Sequence, residues 1–185
     1  TDPILVTQSG DGLSETIARE LESLGATPVV LDGSELPTRN KDRITGLVIV
    51  APTRGDADAF FRDALLGVAA LASPLRAAPE RGEGLLASVT QLDGGFGLYG
   101  SDRTDPAFGG LAGLVKSAGR EWTKLRVRCV DLDPQGSDHQ QAAQVAKLLA
   151  SGGPVEIGVR PQEVSSVEVV ARGGSRGGGV SLGPD

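Results

Sequence analysis

Short apolar runs alternate with amphipathic segments along this chain, and that alternation most narrows the folds open to it. Six of the runs have the length and β character of buried strands: 3–8, 27–32, 44–52, 84–92, 125–133 and 154–160. A seventh, 164–172, has the pattern of an edge strand. Apolar strands joined by amphipathic helices form a parallel sheet with helices on both faces. The sequence therefore predicts a doubly wound α/β domain.

Apolar residues recur at helical spacing in four of the segments between these runs. The second of these stripes is predicted to end near Pro74. The third lies in 107–122, and the fourth lies in 137–151, which begins with a capping Ser or Asp. In chain order the stripes are Leu13, Ile17, Leu21 and Leu24; Phe61, Leu65, Val68 and Ala72; Leu111, Leu114, Val115, Ala118 and Trp122; and Ala142, Val145, Leu148 and Leu149.

Size, charge and composition argue against several classes of protein. The 185 residues suit one domain, and a net charge of −6 argues against a general nucleic-acid surface, which is basic. One cysteine and one histidine cannot build an ordinary structural zinc site, so no metal is expected. No apolar run is long enough to cross a bilayer and no signal peptide opens the sequence, so we expect no membrane contact and a cytoplasmic location.

The glycine-rich tail 173–185 is too poor in apolar residues to bury a core. Its sequence, GGSRGGGVSLGPD, is typical of a flexible linker. The sequence therefore predicts one domain over 1–172, then a linker and a further domain. The missing initiator Met also favours a piece of a longer chain.

The first strand–turn–helix, VTQSGDGLSET, lies where a dinucleotide binds in folds of this class. Glycines there let the backbone approach the pyrophosphate, and the helix N-terminus offers free N–H groups. Only Gly10 and Gly12 match G-x-G-x-x-G, because Glu15 holds the third position. Asp11 and Glu15 place carboxylates in the path of a pyrophosphate, which like charge disfavours. Two interpretations remain: a weak or altered nucleotide site, or a plain β–α turn.

In a plain turn, Asp11 or Ser14 would cap the helix and the glycines would serve the backbone. Asp32, at the end of the second run, has two similar interpretations. It either accepts hydrogen bonds from a ribose or is a turn residue before Gly33. Gly10, Gly12 and Asp32 are therefore weak candidates for cofactor binding.

The segment FGGLAGLVKSAGREWTKLRVRCVDLDP (108–134) resembles the Tyr-x-x-x-Lys helix and following strand of short-chain dehydrogenase/reductase folds. In that family the tyrosine hydroxyl, acidified by the lysine, donates a proton to a ketone. The alignment places Phe108 at the tyrosine and Ala112 at the lysine. Phenylalanine has no proton to give and alanine has no charge, so the resemblance implies that the acid–base pair is absent.

The chain as a whole, over about 3–171, resembles more narrowly the structural subdomain of a polyketide synthase ketoreductase. The segments that carry this resemblance are 46–52, 85–98 and 109–133. The resemblance implies a truncated Rossmann-like, doubly wound parallel sheet without catalytic residues. It also implies that NADPH and catalysis belong to an adjacent catalytic subdomain. The expected partners are that subdomain, other synthase domains and, indirectly, an acyl carrier protein. A stand-alone pseudo-ketoreductase would share these sequence features.

Three aromatic residues are candidates for docking such a partner: Phe60, Tyr99 and Trp122. Phe60 and Phe61 are adjacent on a predicted helix and point about 100° apart, so one of them is free to reach a partner. Truncating Phe60 is expected to leave the fold intact and to weaken docking.

Neither Cys129 nor His139 is expected to be catalytic. Cys129 lies on the apolar fifth run, where a buried and inert thiol is expected. His139 lies in the first turn of a predicted helix, where a solvated or capping role is expected.

Two alternatives to the scaffold prediction remain open. One is a divergent NADP-dependent reductase with a working cofactor site at Gly10–Gly12. The other is a flavodoxin-like or receiver-like binding module, whose acidic candidates are Asp32, Asp131 and Asp133. Thr7 and Gln8 replace the acidic pair usual at the first strand end of a receiver, so this module ranks third.

Overall fold

The computed structural model describes residues 2–39, 43–82, 84–100, 104–136 and 138–168. Within these ranges, one sheet contains seven strands: β1 (Ile4–Thr7), β2 (Pro28–Leu31), β3 (Gly46–Val50), β4 (Leu85–Thr90), β5 (Arg126–Leu132), β6 (Glu156–Arg160) and β7 (Glu163–Ser166). The same residues form five α-helices: α1 (Leu13–Ser23), α2 (Ala57–Ala70), α3 (Ala72–Ala77), α4 (Gly110–Glu121) and α5 (Asp138–Ala150). Short 3₁₀ helices cover Gly33–Arg39, Ala78–Arg81 and Pro106–Gly109.

The strands lie side by side in the order β2-β1-β3-β4-β5-β6-β7. The first six are parallel, and β7 is antiparallel to β6. The usual order of a doubly wound nucleotide-binding sheet is 3-2-1-4-5-6. Among the described residues this sheet has no strand beyond β2, and the 3₁₀ helix Gly33–Arg39 replaces the crossover α-helix between β2 and β3. The predicted Rossmann-like parallel sheet is confirmed, and it is truncated at its β2 edge.

Helices cover both faces of the sheet, as predicted. On one face α1 and α5 pack together over residues such as Val48 and Val130. On the other face α2, α3, α4 and the 3₁₀ helix Gly33–Arg39 cover residues such as Leu47 and Ile49. Successive residues of β3 therefore enter opposite cores, which explains why this strand is apolar throughout.

The helix predicted to end near Pro74 is two helices, so this prediction was wrong. α2 ends at Ala70, and α3 begins at Ala72 with Pro74 in its first turn. A proline is tolerated there because the first N–H groups of a helix have no intrahelical partner to lose.

The apolar stripe predicted for α2 was also partly wrong, because Leu65 is 56% exposed. The buried face instead contains Ala64, Gly67 and Val68. A Cβ on Gly67 would lie 2.4 Å from the Cδ1 atom of Leu36, so α2 approaches the neighbouring 3₁₀ helix closely. Small residues face the core here because there is no room for larger ones.

The other three stripes lie on the buried faces of their helices, although Leu114, Trp122 and Leu148 are only half-buried and Leu24 is exposed. The predicted edge strand is β7, which is shorter than the run 164–172 and begins one residue earlier. Ser137, residues 169–172 and the predicted linker 173–185 lie outside the described residues.

No helix in the described part of the chain is long and apolar enough to span a membrane. No three metal-ligating side chains come together among the same residues.

Candidate functional site

A cavity of about 300 Å³ opens at the carboxyl edge of the sheet, beside the ends of β1 and β3. Ligands of open α/β sheets bind outside the carboxyl ends of the strands. The cavity contains two of the cofactor candidates, Gly10 and Asp32. Two of its lining residues are aspartates, Asp32 and Asp63. Among the described lining residues there is no Lys, Arg or His. The lining residues are Thr7, Gln8, Ser9, Gly10, Asp32, Gly33, Leu36, Ile49, Pro52, Phe60, Asp63 and Ala64.

Gly10 and Gly12 serve the geometry of the turn between β1 and α1. Their φ angles are +83° and +89°, in the left-handed region that favours glycine. Gly12 is the residue that precedes α1, and its carbonyl accepts the N–H of Thr16 at 3.2 Å. The backbone therefore requires glycine at both positions without any ligand.

The carboxylate of Asp11 lies at the N-terminus of α1. Its Oδ1 atom accepts the N–H of Leu13 at 3.1 Å and also bonds the Ser9 hydroxyl, while its Oδ2 atom accepts Nε2 of Gln91 at 2.8 Å. Burial pushes the pKa of Asp11 upward, but these hydrogen bonds outweigh it and bring the pKa below its usual value. An ionised side chain thus occupies the anion-favouring end of the helix.

Ser14 and Glu15 form further side-chain hydrogen bonds within the turn. The fully buried Ser14 hydroxyl donates to the carbonyl of Thr7 at 2.8 Å and accepts the N–H of Ser9 at 2.9 Å. The Glu15 Oε1 atom accepts Nε2 of Gln8 at 3.2 Å. The Ser14 side chain thus holds the end of β1 to the start of α1.

Asp32 lies just after β2 and has the hydrogen bonds of a turn residue. Its Oδ1 atom accepts the N–H of Ser34 at 2.9 Å and the hydroxyl of Ser34 at 2.6 Å. The Ser34 bonds lower the pKa of Asp32. This arrangement agrees with a role in starting the 3₁₀ helix Gly33–Arg39.

The positions aligned with the tyrosine and lysine of the reductase family are buried. Phe108 is fully buried, and its ring packs edge-on against that of Phe60 with a centroid distance of 5.4 Å. Ala112 is 4% exposed, and its carbonyl accepts the thiol of Cys129. Burial raises the pKa of Cys129 to about 11, so its thiol is protonated and inert at neutral pH.

Two carboxylates organise the loop after β4: Asp131, which the sequence offered only as an acidic candidate of a receiver-like module, and Asp93, which sequence analysis did not single out. Asp131 of β5 is fully buried and accepts the Thr90 hydroxyl at 2.7 Å. Its remaining donors are the backbone N–H groups of Leu92, Asp93, Gly95 and Phe96. Asp93 accepts the N–H groups of Gly95, Gly97, Tyr99 and Gly100. The only sequence signals were an acid in an apolar strand and the glycines of the loop DGGFG.

The three docking candidates are not brought together. Trp122 follows α4 at the amino edge of the sheet and is half-buried against the core. Tyr99 lies on the exposed loop at the carboxyl edge, with the guanidinium of Arg160 4.3 Å from its ring centroid. Phe60 is half-buried between Phe61 and Phe108, so its docking role stays a prediction.

His139 is an exposed residue near Glu20. The two side chains lie 3.5 Å apart, between Nδ1 of His139 and Oε1 of Glu20. The arrangement agrees with the solvated role expected for His139.

Solved oxidoreductases share this architecture. A metagenomic short-chain oxidoreductase in complex with NADP matches with a TM-score of 0.63 and 18% identity, over 88% of this chain and 98% of that chain. A C2-type ketoreductase from a modular polyketide synthase matches with a TM-score of 0.60 and 17% identity, over 91% of this chain and 42% of that chain. The shared architecture is a Rossmann-like α/β fold. A-type ketoreductases from a modular polyketide synthase match with a TM-score of 0.60 and 21% identity, over 90% of this chain and 37% of that chain.

The chain spans about two fifths of the length of these two polyketide synthase ketoreductases. No protein-family model matches it. No curated protein matches its sequence. At identities near one fifth, the similarity is one of fold.

The residues at the usual cofactor position of a short-chain dehydrogenase/reductase fold do not fit a dinucleotide here. The N–H of Leu13, at the helix end that would face a pyrophosphate, is bonded to Asp11. Glu15 adds a second carboxylate to the same turn, and the lining of the cavity offers no described basic side chain for a phosphate.

Proposed function

We propose that this chain is a non-catalytic, ketoreductase-like domain of a polyketide synthase that docks and stabilises a catalytic, NADPH-dependent ketoreductase subdomain in the cytoplasm. The observation that carries the proposal is the hydrogen bond from the N–H of Leu13 to the carboxylate of Asp11. That bond satisfies, within the chain, a donor that would otherwise be available to a pyrophosphate.

The acid–base positions support the same proposal. A proton donor must reach its substrate at hydrogen-bond distance. Phe108 has no proton to donate and is enclosed by the core, and Ala112 beside it is also buried. A domain with this fold but neither group can still contribute surface and stability to a neighbour.

The partners follow from the ketoreductase likeness. The solved polyketide synthase ketoreductases contain more than twice the length that this fold covers. The proposed partner is an adjacent catalytic subdomain that holds NADPH and reduces a β-ketoacyl group carried by an acyl carrier protein. Other synthase domains are further proposed neighbours, and neither nucleic acid nor membrane is among them.

A divergent NADP-dependent reductase is the second candidate, and the cavity beside β1 favours it. The cavity lies at the cofactor edge, and Asp32 on its wall has the position of a ribose-binding acid. In that candidate Gly10 and Gly12 would form a working phosphate turn despite Asp11 and Glu15.

A reduction assay separates the two candidates. The chain is incubated with NADPH and a β-ketoacyl thioester, with an active ketoreductase as positive control. The scaffold proposal expects NADPH consumption equal to that of buffer alone. Turnover above buffer that disappears in Asp32→Asn would contradict it, because Asp32 is exposed and would be the ribose-binding acid of a working site.

Docking is tested with a catalytic ketoreductase subdomain of the same synthase. We expect the two to bind and the catalytic subdomain to gain thermal stability. Phe60→Ala should weaken that binding, whereas Leu24→Ala, on the opposite helix layer, should leave it unchanged. Absence of binding by the wild-type chain would contradict the scaffold role.

A further inference from the structure

The cavity beside the ends of β1 and β3, the β1–β3 cavity, has the form of a small-molecule site. Its volume is about 300 Å³, at the lower end of the range for such sites. Its walls come from the ends of β1, β2 and β3, the 3₁₀ helix Gly33–Arg39 and α2. The lining residues and their neighbours in the chain all lie within the described ranges, so the mouth of the cavity is defined.

Part of the lining is apolar and is held in place by the core. Three lining residues are buried apolar side chains: Leu36, Ile49 and Ala64. Phe60 is half-buried in the same lining, and its ring makes edge-on contacts with Phe61 at 5.6 Å and Phe108 at 5.4 Å between centroids. Because this wall is formed before any ligand arrives, an apolar ligand body can bury surface there at little cost in ordering the protein.

Two carboxylates stand close together in the lining. A Cβ on Gly33 would lie 3.8 Å from Cβ of Asp63, so α2 brings Asp63 next to the residue that follows Asp32. Hydrogen bonds from Ser34 lower the pKa of Asp32, which is therefore ionised at neutral pH. Among the described residues no salt bridge joins either carboxylate to a cation. A cation bound between them would relieve the repulsion of two like charges.

The side chains of the lining that can donate hydrogen bonds already do so within the chain. The Thr7 hydroxyl donates to the carbonyl of Val50 at 3.5 Å, and Nε2 of Gln8 donates to Glu15 at 3.2 Å. The Ser9 hydroxyl bonds a carboxylate of its own turn. The polar side-chain groups left for a ligand are mainly carboxylate oxygens, which only accept.

The Asp32 carboxylate keeps one oxygen for a ligand. Both of its bonds with Ser34 go to Oδ1, and Oδ2 has no donor among the described residues. A ligand that suits this cavity therefore donates hydrogen bonds and carries positive charge. An anion would meet the same two carboxylates without a basic side chain in the described lining to balance them.

We propose that the β1–β3 cavity binds a small primary amine, whose ammonium group donates hydrogen bonds to Asp32 and Asp63 while its apolar body packs against Phe60. An ammonium supplies both the charge and the N–H donors that paired carboxylates accept, and such charge-assisted hydrogen bonds are the stronger kind. This binding activity goes beyond the scaffold role and does not depend on it, because it needs no partner domain.

Three probes with one aromatic body and different head groups test the charge requirement. Benzylamine, benzyl alcohol and benzoate are titrated into isotopically labelled chain at about pH 7, and the backbone amide signals are followed by nuclear magnetic resonance. Benzylamine should bind with a dissociation constant of about 1 mM or below, and benzyl alcohol at least about tenfold more weakly. Benzoate should not bind up to about 10 mM. The shifted signals should centre on Gly10, Gly33 and Ala64, which line the cavity.

Variants of one carboxylate test its contact with the ammonium. Asp63→Asn should weaken benzylamine binding at least about fivefold, because a charged hydrogen-bond acceptor is lost. Asp63→Lys places a cation of the chain itself at the cavity and should abolish binding up to about 10 mM. Glu22→Gln is the matched control, since it removes the same charge from an exposed position of α1 on the other face of the sheet. It should change the dissociation constant less than about twofold.

Four outcomes would overturn the proposal. One is the absence of benzylamine binding up to about 10 mM. The second is benzyl alcohol that binds as tightly as benzylamine, which would show that the carboxylates do not recognise charge. The third is a set of shifted amides away from the cavity. The fourth is unchanged benzylamine binding by Asp63→Lys, with circular dichroism verifying that each variant is folded.

Discussion

The Oδ1 atom of Asp11 lies 3.1 Å from the backbone nitrogen of Leu13 and accepts its N–H at the start of α1. The chain thereby supplies its own anion where a dinucleotide-binding fold leaves N–H groups for a pyrophosphate. The glycines on either side, Gly10 and Gly12, still have the left-handed backbone of a phosphate-binding turn. The turn therefore combines the backbone shape of a phosphate-binding turn with the negative charge of Asp11.

Replacing Asp11 by Asn should lower the free energy of unfolding by about 0.3–1 kcal/mol, the usual contribution of a negative charge at a helix N-terminus, because the Asn Oδ1 atom can still accept the N–H of Leu13. The folded pKa of Asp11 lies below the ordinary value of 3.8. Its stabilising contribution is therefore complete above that value and is lost as the pH falls through the folded pKa. This contribution is small because Asp11 is exposed and water screens its interactions.

Urea unfolding of wild type and Asp11→Asn from about pH 2 to about pH 7 measures this contribution. The two curves should converge at the acidic end and separate above it. Asp56→Ala is the control, because it removes the cap of α2 on the N–H of Ala59 and should lower stability without affecting the β1–α1 turn. A difference that grows toward low pH would contradict the assignment.

Phe108→Tyr should destabilise the fold and should not create a reductase. The ring is fully buried against Phe60, so the added hydroxyl enters an apolar core. A buried hydroxyl without a partner costs about 1–3 kcal/mol. Chemical denaturation should show this loss, while Phe61→Tyr, at a half-buried position, should cost less than about 0.5 kcal/mol. Equal stability of Phe108→Tyr and wild type would mean that the core position was misassigned.

Asp131→Asn should loosen the loop after β4. The buried carboxylate accepts one hydroxyl and several backbone N–H groups, and an amide nitrogen cannot accept from any of them. We expect a loss of about 2–4 kcal/mol in the free energy of unfolding. Hydrogen exchange should speed up at the amides of Gly95 and Phe96. Asp133→Asn, whose contact with Arg160 is 3.8 Å, should leave those amides protected.

Cys129 should be unreactive in the folded protein. Burial raises the pKa of its thiol to about 11, against an ordinary 9.0. At about pH 8 a thiol-exchange reagent should therefore react slowly with the native chain and rapidly in denaturant. Rapid native-state labelling would show that the fifth strand is accessible, contrary to its position in the core.

Much of the fold could be predicted from the sequence, because apolar periodicity records burial directly. β3 is apolar throughout because both of its faces are covered, and α4 and α5 keep their stripes. The stripe of α2 was misjudged at Leu65, because Gly67 and Ala64 face Leu36 so closely that small side chains occupy the core side. Hydrophobicity alone does not encode that approach.

The site was less predictable, because its groups meet only after folding. The suspicion that Asp11 disfavours a pyrophosphate came from the sequence, but its bond to Gln91 joins residues 80 positions apart. The role of Asp131 depends on backbone N–H groups of a loop up to 39 positions away, which no side-chain pattern records. Such carboxylate-centred loops are visible only in three dimensions.

Titration of NADPH into the purified chain tests the central claim most directly. Calorimetry and the fluorescence of Trp122 are recorded together, because either signal alone could miss an event. No saturable binding should occur up to about 1 mM cofactor, since the helix N-terminus already binds Asp11. Saturable binding at micromolar or lower concentration would contradict the scaffold role and favour a working reductase at Gly10–Gly12.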